Sequence, residues 1–372
     1  MTLLADDPTR TEDGSTAPAV AEPPPEDRPR PVSRRTSDDW FTLLGSMVAS
    51  LCLVWVLYER VLPFSGKIGF VLCWYIAFVG FYTGVTALSQ PGPIVRDRLA
   101  SALVHGAAAL VGLALASTVI YTYIKGWPAY RHLNFFTQDG TKAGPLNPLT
   151  QGGIKHAIFG SLIELGIAVV VSLPLGLATA VYLSEVGGRF ARVVRTIVEA
   201  MTALPDLVAG LFVYAFLIVA LGYGRTGFAA GLALSITMLP IIARSSEVVL
   251  RVVPGGLREA GLALGASHWR TVWQVVLPTA RTGLGTALIL GMARGIGETA
   301  PVLIVSSAST YTQINPFSNP MNSLPLFIYD KLKQPDHLSQ VRAWGAASVL
   351  LAVVIVLFAV VRFLARQRKG SR

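Results

Sequence analysis

The chain has 372 residues, of which 52% are hydrophobic and only 14% are charged, and its mean hydropathy is +0.55. This composition is too apolar for an ordinary soluble domain and indicates a polytopic membrane protein. The formal net charge of +10 does not indicate a nucleic-acid partner, because the basic residues are spread over the ends of the hydrophobic runs and form no single patch.

The N-terminal segment, residues 1–39, is rich in Pro, Asp, Glu, Arg, Thr and Ser and has no hydrophobic periodicity. Such a segment cannot bury enough apolar surface to order itself. A cleavable signal peptide is not indicated, because the extreme N-terminus is acidic and no small-residue cleavage site follows the first apolar run near Phe41. We expect a disordered cytoplasmic tail.

Eight apolar runs follow the tail, each close to the roughly 20 residues that cross a bilayer. They predict an all-α integral membrane protein with spans at residues 41–62, 68–89, 100–124, 157–183, 197–221, 227–249, 282–306 and 343–364. Most of the 31 Lys and Arg residues lie in the segments that this arrangement places in the cytoplasm, including the tail from Arg362 to Arg372. The positive-inside rule therefore predicts that both termini are cytoplasmic.

Two predicted outer loops are long and irregular, at residues 125–156 and 307–342, and both contain prolines among aromatic and polar residues. Loops of this kind are plausible docking surfaces for an extracytoplasmic partner. Composition alone equally allows simple solvated connections.

Ionisable residues within the predicted spans are costly in a bilayer and are normally paired or face a polar path. Glu164 lies in the fourth span, where it either contributes to a path or is satisfied by Ser161, by water or by protonation. Arg244 and Glu247, near the inner end of the sixth span, are expected to form an interfacial pair.

The connection from Glu259 to Pro278 reads EAGLALGASHWRTVWQVVLP. Its periodicity predicts two short amphipathic helices broken at Gly265, with Leu277 and Pro278 closing the loop, since proline ends or kinks a preceding helix. We call the segment from Leu257 to Pro278 the knob. From physical arguments alone it either docks on another protein or lies on the membrane surface.

At these residues the chain resembles the permease subunits of ATP-binding-cassette importers, whose EAA motif reads EAAxxxG, nine residues, then IxLP. Glu259, Ala260, Gly265, Leu277 and Pro278 match this motif, whereas Gly261 and Val275 replace an alanine and an isoleucine. The resemblance implies that the knob is a coupling helix seated on a separate ATPase.

The seventh span contains GMARGIGETAPVL, residues 291–303. Arg294 and Glu298 are four residues apart, so on a helix they share a face and can pair. Nearby glycines at 291, 295 and 297 permit close approach of another helix. Two interpretations remain open. The pair either only fixes helix packing, or Arg294 lines a path and presents its donors to an oxyanion.

The text from Arg294 to Leu303, with GETAP at Gly297 to Pro301, resembles the A-type permease of the phosphate-specific transport system (PstA type). The resemblance covers roughly residues 100–364 and includes Asn134 to Thr137 with the following Gly152, Gly153 and Ile154. It implies a path for phosphate near Arg294, Glu298 and Thr299. Glu164 is a further candidate, because its expected depth in the membrane is similar to that of Glu298. The chain departs from this pattern in PDLVAGLF, residues 205–212, in Glu164 and in its first two spans.

The expected architecture is a disordered tail (1–39), an extra transmembrane hairpin (40–99) and a six-helix importer permease domain (100–372) with its coupling loop at 250–281. The resemblance implies a multi-pass subunit of a bacterial inner membrane. Its implied partners are a second homologous permease, two ATPase subunits, an extracytoplasmic phosphate-binding protein, inorganic phosphate and membrane lipid.

The sequence lacks the motifs of several other chemistries. No GxxxxGK[ST] stretch is present, so ATP and Mg²⁺ are expected on partner subunits and no cofactor or metal on this chain. Cys52 and Cys73 lie in hydrophobic runs and form neither a disulfide framework nor a metal motif. A membrane enzyme is disfavoured, because HExxH, GxSxG and a histidine cluster are all missing. The alternatives are an importer permease for another oxyanion, such as molybdate or sulfate, and an ion-driven secondary transporter with inverted repeats and broken helices.

Overall fold

The computed structural model describes residues 37–61 and 66–365, and within these ranges the chain is helical and contains no strand. The predicted all-α class is therefore confirmed. The helices are, in chain order, α1 (Ser37–Val56), α2 (Lys67–Ser89), α3 (Gly92–Tyr130), α4 (Asn134–Thr137), α5 (Lys155–Val181), α6 (Gly188–Ala203), α7 (Asp206–Val213), α8 (Gly227–Val252), α9 (Gly255–Ala263), α10 (His268–Thr271), α11 (Leu277–Ile296), α12 (Ala300–Val305), α13 (Leu324–Leu332) and α14 (His337–Ala365). Four π-helical segments extend these helices, at Leu57–Val61, Tyr182–Val186, Tyr214–Ala220 and Val272–Val276.

The chain divides into two compact units, one ending at Gly112 and the other beginning at Leu113. In the first unit α1 packs on α2, and an ion pair joins Asp39 to Arg98. The expected tail lies outside the described residues as far as residue 36, and α1 begins at Ser37. The division into tail, hairpin and permease domain stays a prediction.

The core of the second unit is formed by α5 and α8, which pack along much of their length. Small buried side chains line this contact, including Ala168, Ala229, Ala230 and Ala233. α11 joins the same core, because a side chain at Gly291 would meet Ile242 and one at Gly295 would meet Met238. The predicted close approach at these two glycines is thus observed, whereas Gly297 faces open space.

The predicted fifth span, residues 197–221, is not one straight helix. α6 and the segment Asp206–Ala220 meet at an angle of 102°. Leu204 and Pro205 have extended backbone, as expected where a proline disfavours helix in the residue before it. α6 also carries charged residues along its length, at Arg189, Arg192, Arg195 and Glu199, which suits a polar boundary better than hydrocarbon.

The prediction that Pro278 closes the knob was wrong. The chain is helical from His268 through the π-helical segment Val272–Val276 and α11 to Ile296. Proline is tolerated here because it lies in the first turn of α11, after a wider π-helical turn that relieves the backbone clash. The helix instead ends at Ile296, and residues 297–299 separate it from α12.

Within residues 37–61 and 66–365, seven helices are long and apolar enough to cross a membrane, and the bent pair makes eight if it forms a single span. The eight predicted spans therefore depend on that pair. The orientation of the termini stays a prediction.

Candidate functional site

Arg294 lies in the last turn of α11, and its guanidinium contacts two carboxylates from different parts of the chain. Its Nε lies 3.2 Å from Oε1 of Glu298, and its Nη2 donates to Asp206. The predicted pairing of Arg294 with Glu298 is present, although Glu298 lies beyond the end of the helix. Arg294 therefore links the break between α11 and α12 to the break between α6 and α7.

Asp206 is the partner that the sequence reasoning missed. It is the first residue of α7, directly after the bend at Leu204 and Pro205. α7 is held close to α12, because a side chain at Gly210 would lie 2.6 Å from Cα of Pro301. The available signal was the carboxylate in the PDLVAGLF stretch, which was noted as a departure but given no role.

A cleft of about 140 Å³ opens beside this ion pair. Its polar lining consists of Arg294, Asp206, Thr202 and Thr237, and its remaining lining residues are Met201, Leu204, Ala209, Ile236, Pro240 and Ile241. The Arg294 side chain is 47% exposed, and its Nη1 has no partner among the described residues. The cleft thus presents unused guanidinium donors in a space large enough for a small oxyanion.

Glu164 and Glu298 line a second, much smaller cavity of about 10 Å³, together with Ser161 and Ser323. Glu164 is 1% exposed, and neither of its carboxylate oxygens has a hydrogen-bond partner within the described residues. Ser161 does not satisfy it, because no hydrogen bond joins the two side chains, and the Ser161 hydroxyl accepts a hydrogen bond from Leu324 N at 2.7 Å. An ionised carboxyl group without a partner is costly at such a position, so this cavity favours a proton or a single water as the source of a donor.

Thr299, the fourth predicted path residue, lies at the N-cap position of α12 and is half-buried. Its side chain makes no capping hydrogen bond. The hydroxyl is adjacent in sequence to Glu298 and belongs to the same break between α11 and α12.

The first predicted short helix of the knob is present as α9, but the second is not a separate helix, because α10 is the first turn of the helix that continues to Ile296. Gly265 lies between α9 and α10 with a φ of +81°, a conformation that favours glycine. Ser267 then caps α10 by accepting a hydrogen bond from Arg270 N. The break at Gly265 is therefore confirmed.

The outer face of the knob is apolar and exposed, at Leu257, Leu262, Leu264, Trp269 and Trp273. Among the motif residues, Glu259, Ala260, Gly265 and Pro278 are exposed and Leu277 is half-buried. An exposed patch of large apolar side chains next to a membrane domain is typical of a docking surface.

Arg258 anchors the knob to the membrane domain. Its guanidinium donates to both carboxylate oxygens of Glu185, at 3.2 and 2.8 Å, and to the carbonyl oxygens of Val253 and Leu250, at 2.7 and 2.9 Å. The Glu185 side chain is only 3% exposed. A bidentate pair with two further bonds fixes the orientation of α9 relative to the ends of α5 and α8. Sequence reasoning gave Arg258 no such role.

The departure from the motif at Gly261 has a steric explanation. A side chain at this position would lie 2.9 Å from Cγ2 and 3.0 Å from Oγ1 of Thr271, which is buried. The missing methyl group therefore allows α9 and α10 to pack closely.

The expected pair between Arg244 and Glu247 was wrong. Arg244 instead reaches Glu199 of α6 at 3.3 Å, and Glu247 accepts from Arg195 at 2.8 Å and from Arg251 at 2.6 Å. Arg244 and Glu247 are three residues apart on α8. However, α6 packs against α8 and supplies Glu199 to Arg244 and Arg195 to Glu247.

The two long loops that are predicted to lie outside the membrane are folded. Arg342, which is almost fully buried, donates to the carbonyl oxygens of Gly144, Asn147, Pro148 and Gln151. Between the loops, Gly140 N donates to Thr310 O at 2.7 Å. This network holds residues 140–151 on α14, so these loops are more than solvated connections.

The pKa values of two ionisable side chains in these loop segments are shifted by their surroundings. Lys331 donates to Ala143 O at 3.0 Å, and burial lowers the pKa of its ammonium group. A hydrogen bond from the Thr141 hydroxyl, at 2.6 Å, lowers the pKa of the Asp139 carboxyl.

Comparisons with known proteins agree with these features. Residues 172–370 match a family described as the binding-protein-dependent transport system inner membrane component. The chain is 41% identical over 249 residues to the phosphate transport system permease protein PstA 1 of Mycobacterium tuberculosis (strain CDC 1551), covering 66% of this chain and 81% of that protein. It is 44% identical over 221 residues to PstA of Mycobacterium leprae, covering 58% of this chain and 73% of that protein. A solved structure of the MetNI methionine ABC transporter in inward-facing form matches with a TM-score of 0.43 and 22% identity, over 57% of this chain and 90% of that chain.

Proposed function

Because the chain belongs to the family of binding-protein-dependent transport system inner membrane components, we propose that it is the membrane permease subunit of an ATP-driven importer of inorganic phosphate. The observation that carries this proposal is the identity of 41–44% to the two mycobacterial phosphate transport permeases. The family match extends over the knob, Arg294 and Glu298.

Energy for transport comes from two separate ATPase subunits. The exposed apolar face of the knob supports this role, since it offers Trp269 and Trp273 to a groove on another protein. The bidentate contact of Arg258 with Glu185 then passes movement of the knob to the end of α5. The residues proposed to couple the ATPase are Glu259, Ala260, Gly265, Leu277 and Pro278.

Phosphate passes the cleft beside Arg294, which a second homologous permease completes. In the empty site Asp206 and Glu298 neutralise the guanidinium. An arriving oxyanion competes with these carboxylates for the guanidinium donors. This competition weakens the binding of phosphate at the site. Conduction requires such weak binding, because a path residue must release its ligand as well as bind it.

Glu298, Thr299 and Glu164 form the other side of this path. Carboxylate oxygens accept hydrogen bonds, and protonated forms of phosphate supply hydroxyl donors. The unpartnered oxygens of Glu164 support such an acceptor role.

The subunit lies in a bacterial plasma membrane with both termini in the cytoplasm. The folded outer loops then face an extracytoplasmic phosphate-binding protein, and the Arg342 network preserves the shape of that surface.

The test is purification from native membranes followed by reconstitution. We expect two ATPase subunits and a second permease to co-purify with this chain. The reconstituted assembly should take up labelled phosphate only with ATP and the binding protein. Uptake by the chain alone on an ion gradient would establish a secondary transporter, and uptake of molybdate or sulfate in place of phosphate would establish another oxyanion importer.

A further inference from the structure

Another cleft lies along the contact between α6 and α8, in addition to the cleft at Arg294 and the small cavity at Glu164. It has a volume of about 200 Å³ and is lined by Leu183, Arg195, Val198, Glu199, Arg244, Glu247, Val248 and Arg251. We call it the arginine cleft. Since Thr202 of α6 and Thr237 of α8 line the first cleft, the two clefts follow one another along the same pair of helices.

The separation between the clefts follows from helix geometry. Thr237 in the first cleft and Glu247 in the second are ten residues apart on α8. At about 1.5 Å per residue this places them about 15 Å apart along the helix axis. The nearest lining residues of the two clefts, Ile241 and Arg244, are only three residues apart, so the clefts adjoin, and the arginine cleft differs from the first in its own set of charged side chains.

The arginine cleft has more positive than negative groups. Glu247 accepts from both Arg195, at 2.8 Å, and Arg251, at 2.6 Å, so one carboxylate serves two guanidiniums. Glu199 serves the third, Arg244. Three arginines and two glutamates leave one positive charge uncompensated among the lining residues.

Most hydrogen-bond donors of these arginines are unused. Each guanidinium has five N–H donors, and each of the three donates one hydrogen bond among the described residues. The side chains of Arg244 and Glu199 are 56% and 49% exposed, and Nη1 of Arg244 lies 3.3 Å from Oε1 of Glu199. Exposed pairs of this kind contribute little stability, so Arg244 can exchange its partner readily.

The convergence of arginines is not a general property of the basic helix α6. Arg192 lies on the same helix and is exposed, but it does not line the cleft and makes no ion pair within the described residues. Only Arg195 of α6 turns toward Arg244 and Arg251 of α8. These three side chains approach one space from two helices, which is the arrangement that binds a tetrahedral anion through several donors.

We propose that the arginine cleft binds a phosphate group, either as inorganic phosphate or as the headgroup of an anionic phospholipid. The planar guanidiniums offer paired donors that match phosphate oxygens. A role as an exit station for transported phosphate rests on the proposed function, whereas the binding itself does not.

The test measures equilibrium binding of labelled inorganic phosphate to the purified importer complex in phosphatidylcholine nanodiscs, without the binding protein. All variants carry Arg294→Ala together with Asp206→Asn and Glu298→Gln, which removes the guanidinium of the first cleft and leaves none of its carboxylates unpaired. We expect Arg244→Gln and Arg251→Gln to weaken phosphate binding by about tenfold or more, as the loss of charge-assisted hydrogen bonds predicts. Arg192→Gln removes the same charge from the same helix and should leave the affinity unchanged.

A second arm distinguishes the two sources of the phosphate group. Nanodiscs are prepared with added phosphatidylglycerol, and bound lipid is counted by native mass spectrometry. Lipid that is retained by the Arg192→Gln complex but lost from the Arg244→Gln complex would assign the cleft to a headgroup. Equal effects of Arg192→Gln and Arg244→Gln in both arms would overturn the proposal. Failure of the proposed function is a separate result, namely uptake of phosphate at the wild-type rate by Arg294→Ala alone.

Discussion

Arg294 and Asp206 are 88 residues apart in the chain, yet they form an ion pair that joins the end of α11 to the bend before α7. Both residues lie at interruptions of helices that pack in one core. Interrupted helices are the usual places where polar backbone and side chains line a path through a membrane. An ion-driven transporter uses the same device, so the broken helices do not by themselves identify the energy source.

Gly265→Val tests the geometry of the knob. Valine is β-branched and the φ of +81° at this position is unfavourable for it, with a strain of about 1–3 kcal/mol. We expect normal insertion but loss of the ATPase stimulation produced by the phosphate-loaded binding protein. Gly222→Val is the matched control, because Gly222 has a φ of +67° and open space but lies outside the knob. Full stimulation in the Gly265→Val complex would contradict the docking role.

Arg258→Lys tests the anchor between the knob and α5. Lysine keeps the charge but cannot form the four contacts of the planar guanidinium. We expect the ratio of phosphate taken up to ATP hydrolysed to fall. Arg258→Ala should in addition destabilise the fold by about 3 kcal/mol or more, since it leaves buried Glu185 unpaired. Arg270→Lys serves as the control in the same knob, and an equal loss of coupling there would argue against a specific anchor.

The orientation can be measured by cysteine labelling in a background without Cys52 and Cys73. Thr141→Cys and Ile314→Cys are exposed in the outer loops and should react with an impermeant thiol reagent added from outside. Leu264→Cys in the knob is 89% exposed and should react only after permeabilisation. The opposite pattern would reverse the predicted topology.

Arg342→Ala tests whether the folded outer loops recognise a partner. The substitution removes the donor for four carbonyl oxygens and should loosen residues 144–151. We expect a higher concentration of binding protein for half-maximal ATPase stimulation, with the assembly intact. Lys333→Ala is a surface control on the preceding helix. An unchanged concentration dependence in the Arg342→Ala complex would show that loop shape is irrelevant to stimulation.

Local patterns predicted much of this structure. Apolar runs located the long helices, glycine chemistry located the break at Gly265, and a spacing of four residues predicted the contact of Arg294 with Glu298. These features depend on residues close together in the chain, where periodicity and backbone preference are informative.

Contacts between distant segments were beyond such reasoning. The partners of Arg294 and Arg258, Asp206 and Glu185, lie 88 and 73 residues away from them. Arg244 forms its ion pair with Glu199 of α6 and not with the nearby Glu247 of its own helix. Pro278 was misread because its effect depends on the π-helical turn before it, which the sequence pattern does not reveal. In each case the surrounding structure determined which of the locally possible arrangements formed.

The role of Arg294 in phosphate transport is tested most directly by a variant that removes its charge together with the charges it neutralises. In Arg294→Ala with Asp206→Asn and Glu298→Gln, no carboxylate of this network is left unpaired, so assembly should be retained. The measurement is ATP-dependent uptake of labelled phosphate by proteoliposomes that contain equal amounts of wild-type or variant complex. We predict an assembled complex that docks its ATPases but does not take up phosphate. Uptake at the wild-type rate would show that the arginine only balances its neighbours and would contradict the proposed path.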